Sequence, residues 1–530
     1  IYISPDSEVF KTETDITQKG RLDKSYEKGV DWSGNINASF NKLTKNNSLI
    51  SLVIGGEIRK NRYEYSTLQA SGFYDDELNF IGHANGYPTN SNQKPSGSQD
   101  LSTEVGFFAN GNYMYNNRYY ADFVYRLSGS SKFGANQRFG QFWSVGAGWN
   151  LHNENFLKSD KLDLLKIRGS VGYTGKTNFA PFQAITMYKY DNKLEYLNGI
   201  GAIPQTIANE DLKWEREFSY NIGADVSLFG RRLNATVDYY LKKTKDLVLS
   251  ASKAPSTGVT EGMENIGEME NKGFEFSIDG MLIQRNDFWW QLSMNGSTNK
   301  NRILKISNAL EEQNKTNNDA PASKYHGPLA QYEEGESTSA IKVVRSAGID
   351  PATGQEVFIK RNGERTFTYS AEDKIVIGDQ EPKFQGTVST NFFYKGFSLY
   401  LMGTFKCGGY TYNLTRATRI EGNSGKTNVD QRAFDDRWCQ PGDITAYRDI
   451  KLSALPEYTD RFVEKENIFT ISSINLGYEF APHICQKLLV RNFRVGINLT
   501  DMLRLSNIKM ERGTSYLYGN GFEFTLSTTF

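Results

Sequence analysis

The stretch "GNGFEFTLSTTF" at residues 519–530 decides the fold class. Its residues Phe522, Phe524 and Leu526 share one parity, and the positions between them are polar. A period of two is the pattern of a β-strand with one apolar and one polar face. The stretch therefore predicts a half-apolar strand.

The same alternation recurs along most of the chain and predicts further strands at 30–40, 119–127, 165–173, 233–241, 274–282, 290–296, 384–394 and 493–499. Short connections such as "YNNR" at 115–118 carry the residues that accept the positive φ of tight hairpins. They alternate with long ones at 61–100, 176–212, 304–339 and 406–466. In an up-and-down meander this places all short turns at one end, as in outer-membrane barrels. The pattern predicts roughly 16 antiparallel strands.

Composition agrees with this fold class. Only 38% of the 530 residues are hydrophobic but 13% are aromatic, which favours alternating strands over packed helices. There is no run of 18 apolar residues that could form a membrane helix, but a barrel strand needs only about 9–11 residues. In a membrane such a sheet must close. We predict an all-β transmembrane barrel segment over 1–530 that contacts outer-membrane lipid. The net charge of zero gives no basic footprint for nucleic acid.

No motif in the chain predicts catalysis, a cofactor or a metal site. The four histidines are scattered, and no Cys/His cluster is present. The stretch "GEMENKGFEF" at 267–276 lacks the G-K-[ST] element of a phosphate loop. We instead predict that Glu268, Glu270 and Lys272 lie on the lumen parity, with a bend at Gly273. The sequence is compatible both with a Cys407–Cys439 disulfide bridge and with unpaired thiols.

Two long connections carry the candidate binding residues. Arg437, Trp438 and Tyr447 lie in "RAFDDRWCQPGDITAYRD" at 432–449, and Tyr188 and Tyr190 in "MYKYDNKLEYLNG" at 187–199. Aromatic rings stack on sugar faces, while arginine and aspartate bond hydroxyls. These residues could contact substrate, contact a partner protein at the mouth, or only pack their loops.

Several stretches resemble the SusC/RagA-type TonB-dependent outer-membrane transporters of the Bacteroidota. They stand in the family order and cover most of 100–530, and they include "FWSVGAGWNLHNENFLK" (142–158), "LLKIRGSVGYTGKTN" (164–178), "ENIGEMENKGFEFSI" (264–278), "IGDQEPKFQGTVST" (377–390) and "KMERGTSYLYGNGFEFTLSTTF" (509–530).

The resemblance implies a mechanism and partners. Such a transporter has a plug inside a barrel of about 22 strands. A SusD-like surface lipoprotein covers the external mouth, and transporter–lid pairs can form dimers. The nutrient is an oligosaccharide or a peptide, and TonB supplies the energy for its import. In the family, the plug, the TonB-contacting segment and the first strands precede the matched stretches. This chain is therefore expected to be the C-terminal part of a longer polypeptide.

Two other classes remain open at this point. A barrel of about 16 strands could close alone around water as a passive porin or structural barrel. A secreted β-rich hydrolase or adhesin would be soluble without detergent, but the apolar parity in strand after strand argues against it. We predict a transporter rather than an enzyme, located in the bacterial outer membrane with its long loops outside.

Overall fold

The computed structural model describes residues 11–12, 14, 20–45, 47–73, 80–86, 96–177, 179–196, 199–318, 327–423, 430–452, 455–509 and 519–529. The strands of its main sheet are β1 Arg21–Leu43, β2 Ser48–Ser71, β3 Ser96–Tyr115, β4 Tyr119–Ser130, β5 Phe139–Asn150, β6 Leu162–Lys176, β9 Glu215–Leu228, β10 Leu233–Lys245, β13 Glu268–Arg285, β14 Phe288–Ser297, β15 Lys300–Lys305, β20 Phe384–Tyr394, β21 Phe397–Tyr412, β22 Val463–Glu479, β23 Asn492–Ser506 and β24 Gly521–Thr529.

The main sheet contains sixteen strands, and fifteen of them follow one another along the wall, each antiparallel to the next. β15 continues the line of β14 and pairs with the same strand, β13. The all-β antiparallel fold and the strand number predicted from the alternation are therefore confirmed. Strands that are separated in sequence by only a short turn are neighbours in the sheet. The period-two pattern can therefore be followed from one strand to the next.

One face of the sheet is apolar along its length. Cross-strand partners on this face include Phe40 with Leu52, Phe123 with Val145, and Ile497 with Phe524. Phe522 and Phe524 remain 72% and 67% exposed, so this face is not covered by protein. Phe530 lies outside the described residues. A continuous uncovered apolar band is the surface that a membrane barrel turns to lipid.

The short connections have the predicted backbone. Asn116 and Asn117 have φ values of 50° and 55° in the turn between β3 and β4. Asparagine tolerates this left-handed region better than most residues, which is why it suits a tight hairpin turn. The turn between β20 and β21 uses Lys395 and Gly396, also at positive φ.

The prediction for Glu268, Glu270 and Lys272 is wrong. These residues share the parity of Phe274 and Phe276, and β13 pairs with β10 without a break from Glu268 to Gly280. They therefore face outward, and no bend at Gly273 reverses the strand. The error arose from equating charge with the lumen. Beyond the apolar band a strand leaves the hydrocarbon, and charged residues are then tolerated on its outer face.

The sheet is open between its two edge strands. Over the described residues, β1 pairs with β2 and β24 pairs with β23, but β1 and β24 do not pair with each other. Edge backbone groups cannot remain unpaired in hydrocarbon. Both edges therefore need a partner strand when the wall stands in a membrane.

The long connections carry structure of their own. Two hairpins lie there, β7 Met187–Tyr196 with β8 Gly199–Thr206 and β11 Val248–Ser252 with β12 Glu261–Asn265. A separate four-stranded sheet has the strands β16 Ala340–Ile349, β17 Glu356–Ile359, β18 Arg365–Thr366 and β19 Lys374–Asp379. The described part also includes the α-helices α1 Asn308–Asn318, α2 Arg432–Asp435 and α3 Pro482–Lys487, and a π-helix at Thr415–Glu421. Of the helices in the described part, none is long and apolar enough to cross a membrane.

Candidate functional site at the external mouth

The connection between β21 and β22 brings together three of the predicted binding residues. Arg437 and Tyr447 form a parallel bridge, and the Trp438 amide donates to the Tyr447 carbonyl at 3.1 Å. All three side chains are buried, at 6%, 8% and 6% exposure for Arg437, Trp438 and Tyr447. This burial favours the packing alternative. A substrate or a lid protein can reach these side chains only if the loop opens, so direct contact stays a prediction.

The Arg437 side chain holds two parts of this connection together through hydrogen bonds to backbone carbonyls. Its Nε donates to the Ala433 carbonyl at 2.6 Å, and its Nη2 donates to the carbonyls of Ile420 and Glu421 at 2.6 and 3.2 Å. Ile420 and Glu421 end the π-helix, where carbonyl oxygens lack partners within the helix. Burial lowers the pKa of the Arg437 guanidinium, but it stays charged because arginine is protonated far above neutral pH.

Trp438 joins this connection to the small sheet. Its indole Nε1 donates to the Pro351 carbonyl at 2.9 Å. Pro351 belongs to a turn in the stretch "GIDPATGQ" at 348–355, where Asp350 accepts hydrogen bonds from the amide and the hydroxyl of Thr353. Gly354 adopts φ +68°, and a Cβ there would lie 2.6 Å from the indole. The ring therefore packs directly on the turn.

A buried ion network joins the same two segments more strongly. Arg461 donates to both carboxylate oxygens of Glu356 at 2.8 Å, and to those of Glu421 at 2.8 and 2.9 Å. Arg448 adds a bond to Glu421 at 2.6 Å. The side chains of Glu421 and Glu356 are 0% and 2% exposed. Although burial alone would lower it, the pKa of Arg461 is raised because the two carboxylates bond its charged form.

These contacts make one body of two separate connections. We call it the external unit and define it as the sheet β16–β19 together with the described residues of 413–462. Its ion network could not be predicted from sequence patterns, because Glu356, Glu421 and Arg461 are far apart along the chain. Charge alone could not have identified them among 61 acidic and 61 basic residues.

The second predicted aromatic loop is a hairpin with a different character. Tyr188 on β7 stands opposite Pro204 on β8, and its side chain is 64% exposed. The side chain of Tyr190 lies outside the described part. Tyr188 is therefore free to contact a ligand at the mouth without any rearrangement of its own strand.

The inner face of the wall is polar and ion-paired. Arg126 on β4 bonds Glu57 on β2, and Lys176 on β6 bonds Glu217 on β9 at 2.7 Å. A hollow of about 320 Å³ lies on this face near the external end, lined by Glu104, Val105, Arg126, Ser128, Gly129, Phe142, Thr174, Gly175, Thr177 and Trp214. Hollows that combine aromatic rings with a few charged groups suit polar organic ligands. This hollow could not be predicted from sequence, because its lining residues come from five separate segments.

The described residues contain no cluster of three or more His, Cys, Asp or Glu side chains that could hold a metal ion. Cys407, Cys439 and Cys485 are all free thiols, so the Cys407–Cys439 bridge is not formed.

An antiparallel wall with an apolar outer band, a polar inner face, short turns at one end and long structured loops at the other defines a bacterial outer-membrane β-barrel protein. The family described as TonB dependent receptor-like, beta-barrel, matches residues 3–336. The chain belongs to this family. The predicted outer-membrane location with extracellular long loops is confirmed.

Individual relatives agree with the family. TonB-dependent receptor P39 of Formosa agariphila is 27% identical over 510 residues, which are 88% of this chain and 48% of that protein. TonB-dependent receptor SusC of Bacteroides thetaiotaomicron is 28% identical over 389 residues, or 72% of this chain and 38% of SusC. The chain thus spans about half or less of the length of these relatives. The predicted resemblance to SusC/RagA-type receptors is confirmed.

A solved structure shows the same fold. The structure titled "Structure of the RagAB peptide transporter" superposes with a TM-score of 0.80 at 23% identity. The match covers 92% of this chain and 53% of the RagAB transporter chain.

Proposed function

We propose that this protein takes part in TonB-dependent import of a nutrient across the outer membrane. The observation that carries the proposal is the two-faced wall: an apolar outer band encloses a polar, ion-paired inner face in a chain of the TonB-dependent receptor family. A polar inner face suits the passage of a hydrated solute. The proposed role is binding and gated passage, without covalent chemistry.

The open sheet supports a larger barrel over a self-closing porin. Over the described residues β1 and β24 do not pair, so these sixteen strands form an open sheet rather than a closed barrel. We propose that further strands complete a barrel of about 22, the size of plugged outer-membrane transporters. A plug and a TonB-contacting segment belong to the same proposal.

The external unit supports a partner at the mouth. A lid protein needs a surface that keeps its shape, and the buried network of Glu356, Glu421 and Arg461 supplies one. We propose a SusD-like lipoprotein as this lid, with transporter–lid pairs able to dimerise. Arg437, Trp438 and Tyr447 would then act by shaping the unit, and Tyr188 by direct contact.

We propose an oligosaccharide as the substrate, with a peptide as the second candidate. The exposed Tyr188 ring and the hollow beside Phe142 and Trp214 combine aromatic surface with charged groups. Aromatic faces stack on sugar rings, and the same hollow could take a peptide side chain. The relative titled a peptide transporter supports keeping the peptide alternative.

Uptake measured in cells tests the proposal. Cells that express the complete protein are given labelled oligosaccharides or peptides, with and without a functional TonB and a proton gradient. Import that requires both is expected. Uptake that continues without TonB, together with an open conductance in a planar bilayer, would support the porin alternative instead.

A further inference from the structure

A group of basic side chains lies on the outer face of the wall, where the apolar band ends on the external side. We call it the basic patch, and its members are Arg216 on β9, Lys243 and Lys245 on β10, Lys272 on β13, and Lys300 and Arg302 on β15. Register places them on one face, because Arg216 is opposite Lys245, Lys243 is opposite Glu270, and Lys272 is opposite Lys300.

The patch follows directly on lipid-facing residues. Lys243 is two positions beyond Leu241, and Lys272 is two positions before Phe274. Tyr239 and Phe274 are directly paired and 39% and 55% exposed. Exposed aromatic rings mark the level of the membrane interface in barrels. The cationic groups therefore lie at the height of the lipid headgroups of the outer leaflet.

Two pairs of cations lie directly opposite each other, and Arg216, Lys245 and Lys272 among them also contact carboxylates. Lys272 stands directly opposite Lys300, and Arg216 stands directly opposite Lys245. Like charges in directly opposed positions destabilise an antiparallel pair. Lys300 has no ion-pair partner among the described residues, whereas Lys272 contacts Glu270.

The acidic residues of this face do not neutralise it. Glu268, Glu270 and the strand-end Asp246 are three carboxylates against six cations. Lys243 and Lys272 both contact Glu270, at 3.5 and 3.2 Å, and Lys245 contacts Glu268 at 3.6 Å. The lysine side chains are 44–57% exposed while that of Glu270 is 13% exposed, so the ammonium groups form the outer layer.

We propose that the basic patch binds the phosphate groups of a phosphorylated amphiphile in the outer leaflet, of the lipid A type. Its acyl chains would lie along the apolar band below Phe274, and its phosphates would lie between Lys272, Lys300 and Lys243. This binding goes beyond nutrient import and uses the opposite face of the wall. It fixes the protein to its lipid surroundings through charge as well as through burial of apolar surface.

Lipid binding by variants tests the proposal. The complete protein is purified in detergent, stripped of lipid and titrated with bisphosphorylated lipid A by native mass spectrometry. Each surface lysine contributes about a fivefold factor to binding of an anionic lipid, so Lys272→Gln with Lys300→Gln is expected to weaken it about 25-fold. Lys272→Arg with Lys300→Arg keeps the charge and is expected to keep the affinity.

Lys242→Gln is the matched control, because Lys242 is next to Lys243 on β10 but faces inward; its affinity is expected to stay at the wild-type value. If the double variant does not fold, Lys243→Gln alone must still lower the affinity severalfold. Wild-type affinity in the folded double variant, equal binding of dephosphorylated lipid A, or equally tight binding of soluble tripolyphosphate would each overturn the proposal. The last result would indicate a site for free anions rather than for a lipid.

Discussion

Arg168 on β6 reaches across the whole width of β9 to bond Asp238 on β10, with 2.7 Å between Nη2 and Oδ2. The residue that lies between them is Gly223, opposite Arg168 on one side and opposite Asp238 on the other. A Cβ at Gly223 would collide with Asp238 Oδ1 and lie 2.8 Å from Arg168 Cζ. The glycine thus leaves the gap through which the ion pair forms on the inner wall.

Gly223→Ala is therefore expected to break this ion pair and to destabilise the barrel by about 1–3 kcal/mol, the usual cost of overpacking. Gly169→Ala is the control, because a Cβ there faces outward with its nearest atom, Asn221 O, at 3.8 Å. Unfolding in urea would compare the two. Equal midpoints for both variants would show that Gly223 has no special packing role.

The assignment of faces predicts a strong difference between two adjacent positions on β13. Phe276 faces lipid beside Val237, whereas Glu275 faces inward beside Asp238. Phe276→Arg should cost roughly 2–4 kcal/mol of barrel stability, because it places a cation in the apolar band, and Glu275→Arg should cost little. Unfolding from lipid vesicles measures both, and similar losses would contradict the assignment.

The buried network predicts that Arg461 holds the external unit together. Arg461→Met leaves Glu356 and Glu421 buried without their main cation, which typically costs about 3–5 kcal/mol. Faster hydrogen exchange in 413–462 is expected, with the barrel strands unchanged. Arg432→Met is the control, since its pair with Asp430 is partly exposed and therefore contributes little to stability. Unchanged exchange in Arg461→Met would show that the two connections hold together without the network.

The exposure of Tyr188 predicts a binding effect without a stability effect. Tyr188→Ala should leave unfolding unchanged but weaken binding of the substrate or the lid by about fivefold or more, as truncation of an aromatic contact does. Phe156→Ala offers the comparison, because Phe156 is 70% exposed in a connection at the opposite end of the wall. Calorimetric titration measures the binding affinity of both variants. Equal affinities for the two variants would remove Tyr188 from the binding surface.

The alternation of apolar and polar residues predicts most of the fold, and particular residues show why. Val237 and Tyr239 face lipid as their parity predicts, because outward positions within the hydrocarbon layer are apolar or aromatic. The same reasoning failed at Glu268 and Glu270, which lie past the apolar band where that rule no longer applies.

The external unit was beyond the reach of such patterns. Arg437 resembles a ligand-binding residue in sequence, but its partners are backbone carbonyls that only the folded loop brings together. The sheet β16–β19 likewise forms between short segments with no repeated alternation. Where structure comes from long-range pairing of a few charged groups, as with Arg461 and Glu356, sequence spacing carries no signal of it.

The external unit also constrains how the mouth can move. It is rooted at four strand ends, those of β15, β20, β21 and β22, and the amide of Asn413 is tied to the carbonyl of Phe462 at 2.7 Å across its base. A loop that is attached at one place can rotate about that attachment, but a unit attached at several separated places resists rotation. The external unit is therefore held at several places on the wall, whereas the β7–β8 hairpin projects from a single connection.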